Sequence, residues 1–349
     1  MPDEIPTAVD LFSGCGGLTQ GLRDAGFNVV AAVDNDPLSV ATYRRNHPDV
    51  HVWEKDIQEL TVATVKRRLG LRKGELDLLA GCPPCQAFSA MRRLNGRRRV
   101  RDKAGKDLVF EFIRFAEGLL PKTVMMENVP WLAKDDRMRK FRKRMQELGY
   151  VGQDVVLNAA DFGVPQRRRR MVYVGSRIGP VAFADPVPED ERSTVRETIH
   201  HLPVPGESGD ELHDIPERHG AEVLERIRRI PKDGGSRSAL GKDEQLPCHD
   251  RSDGFKDVYG RMAWDDVAPT ITGGCVNPSK GRFLHPEEHR AITLREAALL
   301  QGFPATYEFS LDRGKCAAAQ MIGNAFPPAF ARAQAACIVE RLEKHSEEA

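Results

Sequence analysis

Residues 8–18 read Ala-Val-Asp-Leu-Phe-Ser-Gly-Cys-Gly-Gly-Leu, and this stretch decides the fold class. Its apolar start predicts a buried strand, its glycines predict a tight turn, and the amphipathic residues 18–25 predict a helix. A second apolar run, residues 27–33, ends at Asp34. Strand, glycine turn, helix, strand and acid in this order predict an α/β fold that binds a nucleoside cofactor, with the acid on ribose hydroxyls. The glycine spacing departs from G-x-G-x-x-G, so a dinucleotide is not favoured.

A cysteine-containing turn follows the apolar residues 76–80. Residues 81–86 read Gly-Cys-Pro-Pro-Cys-Gln, and two consecutive prolines fix φ and remove two backbone donors, so the segment is not ordinary helix. A stiff turn at the end of a buried strand is where α/β sheets place functional residues. These residues alone leave two interpretations open, a catalytic nucleophile or a Cys82/Cys85 redox pair. The sequence offers no second C-x-x-C or spaced His pair, which argues against structural zinc.

The composition is that of a globular protein of ordinary polarity. The 349 residues suffice for one large and one smaller domain, and 40% are hydrophobic and 30% charged. The short acidic N-terminus does not resemble a signal peptide, and no apolar stretch approaches the length of a membrane span. Seven cysteines without regular spacing favour a reducing compartment. We therefore expect a cytoplasmic protein that does not contact a membrane.

Positive charge is concentrated in short segments, although the formal net charge is only +1. Basic residues crowd 92–103, four arginines occupy 167–170, and basic residues recur along 137–144. Residues 184–291 instead carry 15 Lys+Arg against 22 Asp+Glu, a net charge of −7. A polyanionic partner would therefore contact the chain at chosen places rather than through overall basicity.

The regular alternation of strands and helices stops near residue 183. Beyond it Pro, Gly, Asp, Glu and His dominate, until helical patterns return at 294–301 and 328–343. Seven of the ten histidines lie between these parts, but their spacings match no common ligand pattern, and we expect no metal site.

With these segments in order, the chain resembles the cytosine-5 DNA methyltransferases of the prokaryotic or phage type. The resemblance covers residues 8–183 and 290–330. It rests on six motifs in one order: the cofactor loop at 10–18, the nucleophile motif Gly-Cys-Pro-Pro-Cys-Gln-Ala-Phe-Ser at 81–89, Glu127-Asn128-Val129, Gln-x-Arg-x-Arg at 166–170, Arg-Glu-Ala-Ala at 295–298 and Gly-Asn-Ala at 323–325.

The resemblance implies an α/β, Rossmann-like catalytic domain dependent on S-adenosylmethionine, with a smaller, mostly irregular or β target-recognition domain. We place the catalytic and cofactor-binding domain at residues 1–183 and the target-recognition domain at 184–289. Residues 290–349 would return to complete the catalytic domain.

The resemblance assigns the nucleophile to Cys85 rather than Cys82. The Cys85 thiolate would add to carbon 6 of a cytosine rotated out of the duplex, so that carbon 5 attacks the methyl group of the cofactor. Glu127 would hydrogen-bond ring nitrogen 3 and the exocyclic amine. Arg168 is the first candidate to hold the carbonyl oxygen of the base. Arg170 could do the same less directly. A structural ion pair is the alternative role for both arginines.

The other site residues are also implied by the resemblance. The cofactor contacts would be Phe12, Gly14, Cys15, Gly16, Gly17, Asp34, Asn35, Asp56, Ile57, Pro83, Leu108, Asn324 and Ala325. Asn35 stands where many family members place a bulky aromatic residue, which leaves adenine stacking at that position unsupported. The segment after Ser89 would form a mobile loop, with a DNA contact from Ser89 and phosphate contacts from Arg97, Arg98 and Arg99. Bases would be read by a flexible Gly-rich loop ending at Arg237 and by Thr270, Thr272 and Gly273.

The leading hypothesis is therefore methylation of carbon 5 of cytosine in a specific double-stranded DNA sequence. The alternatives are an RNA cytosine-5 methyltransferase, a non-catalytic DNA-binding relative and a Cys82/Cys85 redox enzyme. A separate recognition segment favours DNA, and the intact Cys85, Glu127 and Arg168 argue against a non-catalytic protein. We expect a monomer that associates with the nucleoid through DNA. A cognate restriction endonuclease or another defence-system protein is a further candidate partner.

Overall fold

The computed structural model of the protein describes residues 5–84, 107–241 and 257–348. They divide into two compact units. The first contains the chain up to Asn158, Arg169–Pro186 and the chain from Pro328 onward, and the second contains Ala159–Arg168 and Val187–Pro327. Residues 290–327, which we expected in the catalytic domain, therefore lie in the second unit.

The first unit is built on one mixed sheet. In the described residues its seven strands are β1 Thr7–Leu11, β2 Asn28–Asp34, β3 His51–Glu54, β4 Leu78–Gly81, β5 Thr123–Asn128, β6 Val151–Asn158 and β7 Arg169–Ser176. Their order is β3-β2-β1-β4-β5-β7-β6. Strands β1 to β5 pair in parallel, and β7 runs antiparallel to both β5 and β6. The order reverses between β1 and β4, the position where such sheets bind ligands at their carboxyl ends. The α/β, Rossmann-like class predicted from the sequence is confirmed.

Helices cover both faces of this sheet, and further helices lie in the second unit. In the first unit they are α1 Gly17–Asp24, α2 Pro37–Asn46, α3 Val62–Leu69, α4 Leu108–Leu119 and α5 Asp136–Glu147; in the second, α6 Val195–Ile199, α7 Glu211–Asp214, α8 Ala221–Arg229, α9 Leu294–Leu300 and α10 Lys315–Asn324; α11 Pro328–Glu348 returns to the first. Side chains that accept hydrogen bonds from the first-turn amides fix the starts of α2 to α5. These capping residues are Asp36, Thr61, Asp107 and Asp135.

The main core of the first unit lies between the sheet and helices α4 and α5. Phe112 of α4 and Phe141 of α5 are fully buried with ring centroids 5.8 Å apart, and Phe141 meets Tyr173 of β7 edge to face at 4.9 Å. On the opposite face, α1 packs closely on α11 at Gly21. A Cβ at Gly21 would lie only 2.4 Å from the backbone oxygen of Pro328. A glycine is therefore needed there for close helix approach.

The described part of the second unit contains short helices, connecting segments and isolated β-bridges rather than a regular sheet. Arg261 lies at its centre and is fully buried. The Arg261 guanidinium donates hydrogen bonds to the backbone oxygens of Ile230 at 3.1 Å, Ile227 at 3.0 Å and His285 at 2.8 Å. These contacts satisfy the buried charge with carbonyl dipoles and connect α8 to the segment around His285. Within residues 5–84, 107–241 and 257–348, no helix has the length and apolar character that a membrane span requires.

Candidate active site

The carboxyl ends of β4 and β5 bring the Cys82 turn next to Glu127. The parallel register pairs Gly81 with Met126, so the following residues of the two strands, Cys82 and Glu127, are neighbours. The side-chain amide of Asn128 donates to the backbone oxygen of Pro83 at 2.8 Å, which attaches the turn to β5.

Glu127 forms an ion pair with Arg170, because β7 lies next to β5. The Nε atom of Arg170 lies 2.8 Å from Oε1 of Glu127, and the two side chains are only 17% and 12% exposed. Arg170 Nη1 also donates to the backbone oxygen of Arg169 at 2.8 Å. A guanidinium has five N–H donors, so Arg170 retains further donors for a ligand.

Arg168, the residue we expected to hold the base, has a different environment. Its buried guanidinium donates to the backbone oxygens of Ile271 at 3.0 Å, Gly323 at 2.9 Å and Ala325 at 3.2 Å, all within the second unit. Arg168 precedes β7, whereas Arg170 lies within it, beside β5. The structure therefore places Arg170 rather than Arg168 next to Glu127.

The environment of Cys82 favours the neutral thiol. Burial, the charge of Glu127 and the charge of Asp10 raise the pKa of Cys82 well above its usual range, and only Arg170 acts in the opposite direction among the main causes. Redox and nucleophilic chemistry both require a thiolate. This environment therefore argues against the Cys82/Cys85 redox interpretation. Cys85, Ser89, Arg97, Arg98 and Arg99 lie outside the described residues.

The glycine turn after β1 is closed by Asp34, as its place at the end of β2 predicts. One carboxylate oxygen of Asp34 accepts from the amide of Gly14 and the other from the amide of Asp36, both at 2.9 Å. Burial raises the Asp34 pKa. Phe12 and Gly14 have φ values of 61° and 53°, the left-handed region that a tight turn here requires. The Asp34 carboxylate retains acceptor capacity for a ligand hydroxyl, since two oxygens can accept about four hydrogen bonds.

The turn contains a buried hydroxyl. Ser13 is 6% exposed, and among the described residues its Oγ has no hydrogen-bond partner. Such an unsatisfied polar group is costly unless a ligand or water completes it. Ser13 was missed in the sequence analysis, although a hydroxyl between Phe12 and Gly14 was visible in the motif. The loop amides, the Ser13 hydroxyl and the Asp34 carboxylate together suit a nucleoside with a polar tail.

The other predicted cofactor contacts lie on several different elements of the fold. Asp56 and Ile57 follow β3, the neighbour of β2; Asp56 accepts from the amide of Gln58 at 2.9 Å. Leu108 begins α4. Asn324 and Ala325 end α10 and lie in the second unit. Asn35, Asp56 and Asn324 are exposed. The side-chain amide of Gln320 donates a hydrogen bond to Oδ1 of Asn324 at 2.8 Å.

The predicted base-reading residues have unequal exposure. Arg237 is only 7% exposed, so its side chain would have to leave a buried position to contact a base. Thr270 donates to the backbone oxygen of Arg167 at 2.6 Å. Thr272 is exposed, and Gly273 lies against the side chain of Gln320.

The loop before Arg237 is anchored, in contrast to the flexible loop that its glycines suggested. The amide of Gly234 donates to Met262, the amide of Arg261 donates to Gly235, and Arg282 Nη1 donates to Gly234, each at 2.9 Å. These bonds hold the loop on the second unit.

Most of the described arginines at 137–144 are neutralised within the first unit. Arg137 pairs with Asp107 at 2.8 Å, Arg142 pairs with Asp154 at 2.5 Å, and Arg144 pairs with Glu117. This helix therefore offers less free positive charge to a polyanion than its sequence suggests.

Asp10 is a buried carboxyl that the sequence analysis did not single out. It is fully buried within β1; its Oδ2 accepts from Thr19 at 2.7 Å, and Thr19 lies 2.9 Å from the hydroxyl of Tyr43. The Asp10 Oδ1 has no partner among the described residues. Burial raises the Asp10 pKa from 3.8 to about 7. An acid within an apolar strand was the available signal.

The Asp10→Asn variant tests this buried carboxyl. Because the folded-state pKa is raised, the stability contribution of neutral Asp10 is present below pH 3.8 and is lost as the pH rises to about 7. Asparagine remains neutral, so the variant should gain stability over wild type by about 1.4 kcal/mol per pH unit between pH 4 and 7, at most about 4 kcal/mol in total. Chemical denaturation at several pH values measures this difference. Asp24→Asn, at an exposed position, is the control; a stability difference for Asp10→Asn that does not change with pH would contradict the assignment.

The chain matches one protein family over nearly its whole length. A sequence model described as C-5 cytosine-specific DNA methylase matches residues 7–340. The type II methylase M.HgiDII of Herpetosiphon aurantiacus is 36% identical over 353 residues, which span 97% of this chain and 96% of the relative. The type II methyltransferase M1.HphI of Haemophilus parahaemolyticus is 34% identical over 340 residues, which span 96% and 87%.

Solved structures are similar in fold. One is a prophage-encoded protein of E. coli described as a DNA modification methyltransferase, with a TM-score of 0.74 and 22% identity. Another is the Dnmt2 methyltransferase of S. pombe, with a TM-score of 0.61 and 18% identity. Each alignment covers 97% of this chain and 99% of the other. At these identities the likeness concerns the fold alone.

Proposed function

Because the chain belongs to the C-5 cytosine-specific DNA methylases, we propose that Glu127 and Arg170 bind the cytosine that it methylates. The enzyme transfers a methyl group from S-adenosylmethionine to carbon 5 of cytosine in DNA. The single observation that supports the residue assignment is the Glu127–Arg170 ion pair beside the Cys82 turn.

The proposed chemistry divides the work between a nucleophile and an ion pair. The Cys85 thiolate forms a bond to carbon 6, and the electron pair of the 5,6 double bond becomes available at carbon 5. Glu127 hydrogen-bonds nitrogen 3 and the exocyclic amine, and it carries the proton that compensates the charge developing on the ring. Arg170 orients Glu127 and directs a remaining N–H donor at the carbonyl oxygen of the base. After methylation, loss of the carbon 5 proton and of the thiolate restores the double bond.

We place the cofactor at the turn after β1. The Asp34 carboxylate would hold the ribose hydroxyls, Ser13 would bind the polar tail, and the start of α1 would supply backbone amides. Bound there, the cofactor supplies an electrophilic methyl group. Two observations support this placement. The Ser13 hydroxyl has no partner in the described chain, and the Asp34 carboxylate can accept a further hydrogen bond.

We assign the choice of DNA sequence to the second unit. Its exposed Thr272 would present a hydroxyl group to base edges. We further infer that the enzyme belongs to a restriction-modification system, in which a cognate endonuclease cleaves the unmethylated site. The relatives at 36% and 34% identity are named type II enzymes, which supports this role. Association with the nucleoid through DNA is part of the same proposal.

The activity can be mapped in cells that lack cytosine methylation of their own. Wild-type protein should convert one short sequence, wherever it occurs in the genome, to 5-methylcytosine, and bisulfite sequencing reads each site. Glu127→Gln should leave the genome unmethylated, because it cannot carry the required proton. Methylation confined to RNA, or scattered without a common sequence, would contradict the proposal.

Kinetic and stability measurements should distinguish the roles of Arg170 and Arg168. Arg170→Ala should reduce kcat by about a hundredfold or more, because the carboxylate loses its charged partner and the base loses a donor. Arg168→Ala should mainly lower the melting temperature, because three buried carbonyls lose their donors. Methyl transfer and thermal unfolding of both variants give the comparison. A fully active Arg170→Ala enzyme would refute the assignment.

Asp34→Ala should weaken binding of S-adenosylmethionine by about ten- to a hundredfold, because a charge-assisted hydrogen bond contributes about 1.5–3 kcal/mol. Calorimetric titration of the cofactor into the free protein measures this effect. Asp36→Ala is a matched control, because Asp36 caps α2 beside the same turn. Equal affinity for wild type and Asp34→Ala would place the ribose elsewhere.

A further inference from the structure

We propose that Cys82 is a positioning residue for Glu127: its thiol donates a hydrogen bond to the Glu127 carboxylate and helps to hold it in the orientation that receives cytosine. The inference deepens the role proposed above for Glu127 and rests on it. It gives a function to the first cysteine of the Cys-Pro-Pro-Cys turn, which the reaction itself leaves without one.

The backbone of Cys82 is fixed at the point where β4 ends. Its amide donates to the backbone oxygen of Leu11 at 3.2 Å, which extends the pairing of β4 with β1 by one residue. Pro83 follows directly, and its ring restricts the backbone further. The Cys82 side chain therefore starts from a position with little conformational freedom.

The neighbouring strand end fixes the acceptor equally well. Gly81 pairs with Met126 in the parallel register of β4 and β5, which places Cys82 beside Glu127. The bond from Asn128 to the backbone oxygen of Pro83, 2.8 Å long, holds the two strand ends together just beyond this pair. Donor and acceptor are thus brought together by backbone contacts on both sides.

The electrostatic surroundings determine which partner donates. Among the described residues, the charged or titratable groups that act most strongly on Cys82 are Glu127 of β5, Asp10 of β1 and Arg170 of β7. Burial and the two carboxyl groups keep the sulfur protonated, because they raise the thiol pKa well above its usual range. A protonated thiol is a hydrogen-bond donor, so the direction of the bond is from Cys82 to Glu127.

Glu127 consequently has two donors of unequal strength. Arg170 supplies a charge-assisted bond to Oε1 at 2.8 Å, and Cys82 supplies a weaker neutral one. Together they restrict rotation of the carboxylate about its terminal torsion, which is broad in a free glutamate. Loss of the thiol should therefore reduce the fraction of complexes in which the carboxylate is correctly aligned, without removing a contact to DNA.

Two substitutions of Cys82 separate the hydrogen bond from simple packing. Cys82→Ala should lower kcat by roughly 3- to 10-fold, the effect of one neutral hydrogen bond. The KM values for DNA and for S-adenosylmethionine should stay unchanged, because the bond acts on the chemical step. Cys82→Ser keeps a donor and should restore most of the wild-type kcat. Cys337→Ala, at a half-buried cysteine of α11, is the control, and melting temperatures show whether each variant is folded.

The outcomes distinguish this inference from the function on which it rests. Cys82→Ala with wild-type kcat would overturn it, and so would Cys82→Ser if it were as impaired as Cys82→Ala, since packing would then be the cause. Glu127→Gln is measured in parallel. An inactive Glu127→Gln beside a fully active Cys82→Ala removes only the Cys82 inference. A fully active Glu127→Gln removes the proposed role of Glu127 and this inference with it.

Discussion

The parallel register of β4 with β5 is the constraint on which the candidate site depends. Pairing Gly81 with Met126 places the cysteine turn and Glu127 side by side at the carboxyl edge of the sheet. The antiparallel strand β7 then brings Arg170 to the other side of Glu127. A shift of one residue in the β4–β5 register would separate the turn from the carboxylate and reverse the faces on which the strand side chains lie.

Several polar groups are buried at a cost that the surrounding bonds only partly offset. Asp10 has one satisfied oxygen and one without a partner in the described chain. Burial raises the pKa of its carboxyl, and the hydrogen bond from Thr19 offsets this only in part. Arg261, by contrast, directs its guanidinium at backbone carbonyls and organises the loops of the second unit. Two of the buried atoms without a partner in the described chain, Oγ of Ser13 and Oδ1 of Asp10, lie at or beside the glycine turn after β1. A bound ligand or water is the usual means of satisfying such groups.

The motif Gln166 to Arg170 shows how one short segment serves both units. The side chain of Gln166 contacts Leu300 and Ile271 inside the second unit, and Arg168 bonds to carbonyls of the same unit. Arg170, two residues later, belongs to the first unit and to Glu127. A motif that reads as one run of positive charge therefore contains two buried structural side chains and one that faces the candidate site.

Local sequence patterns were sufficient to predict the fold class and the glycine turn closed by Asp34, because these depend on apolar periodicity and on glycine at positive φ. The reaction class followed from the resemblance of six ordered motifs to a known family. The folded chain, in contrast, determines which arginine pairs with Glu127 and that Arg237 is buried. It likewise decided that Cys82 faces a carboxylate and that Asp10 is driven towards neutrality. Those outcomes depend on contacts between residues far apart in the chain, on strand register and on burial. Long-range contacts, strand register and burial cannot be read from the spacing of residues along one sequence.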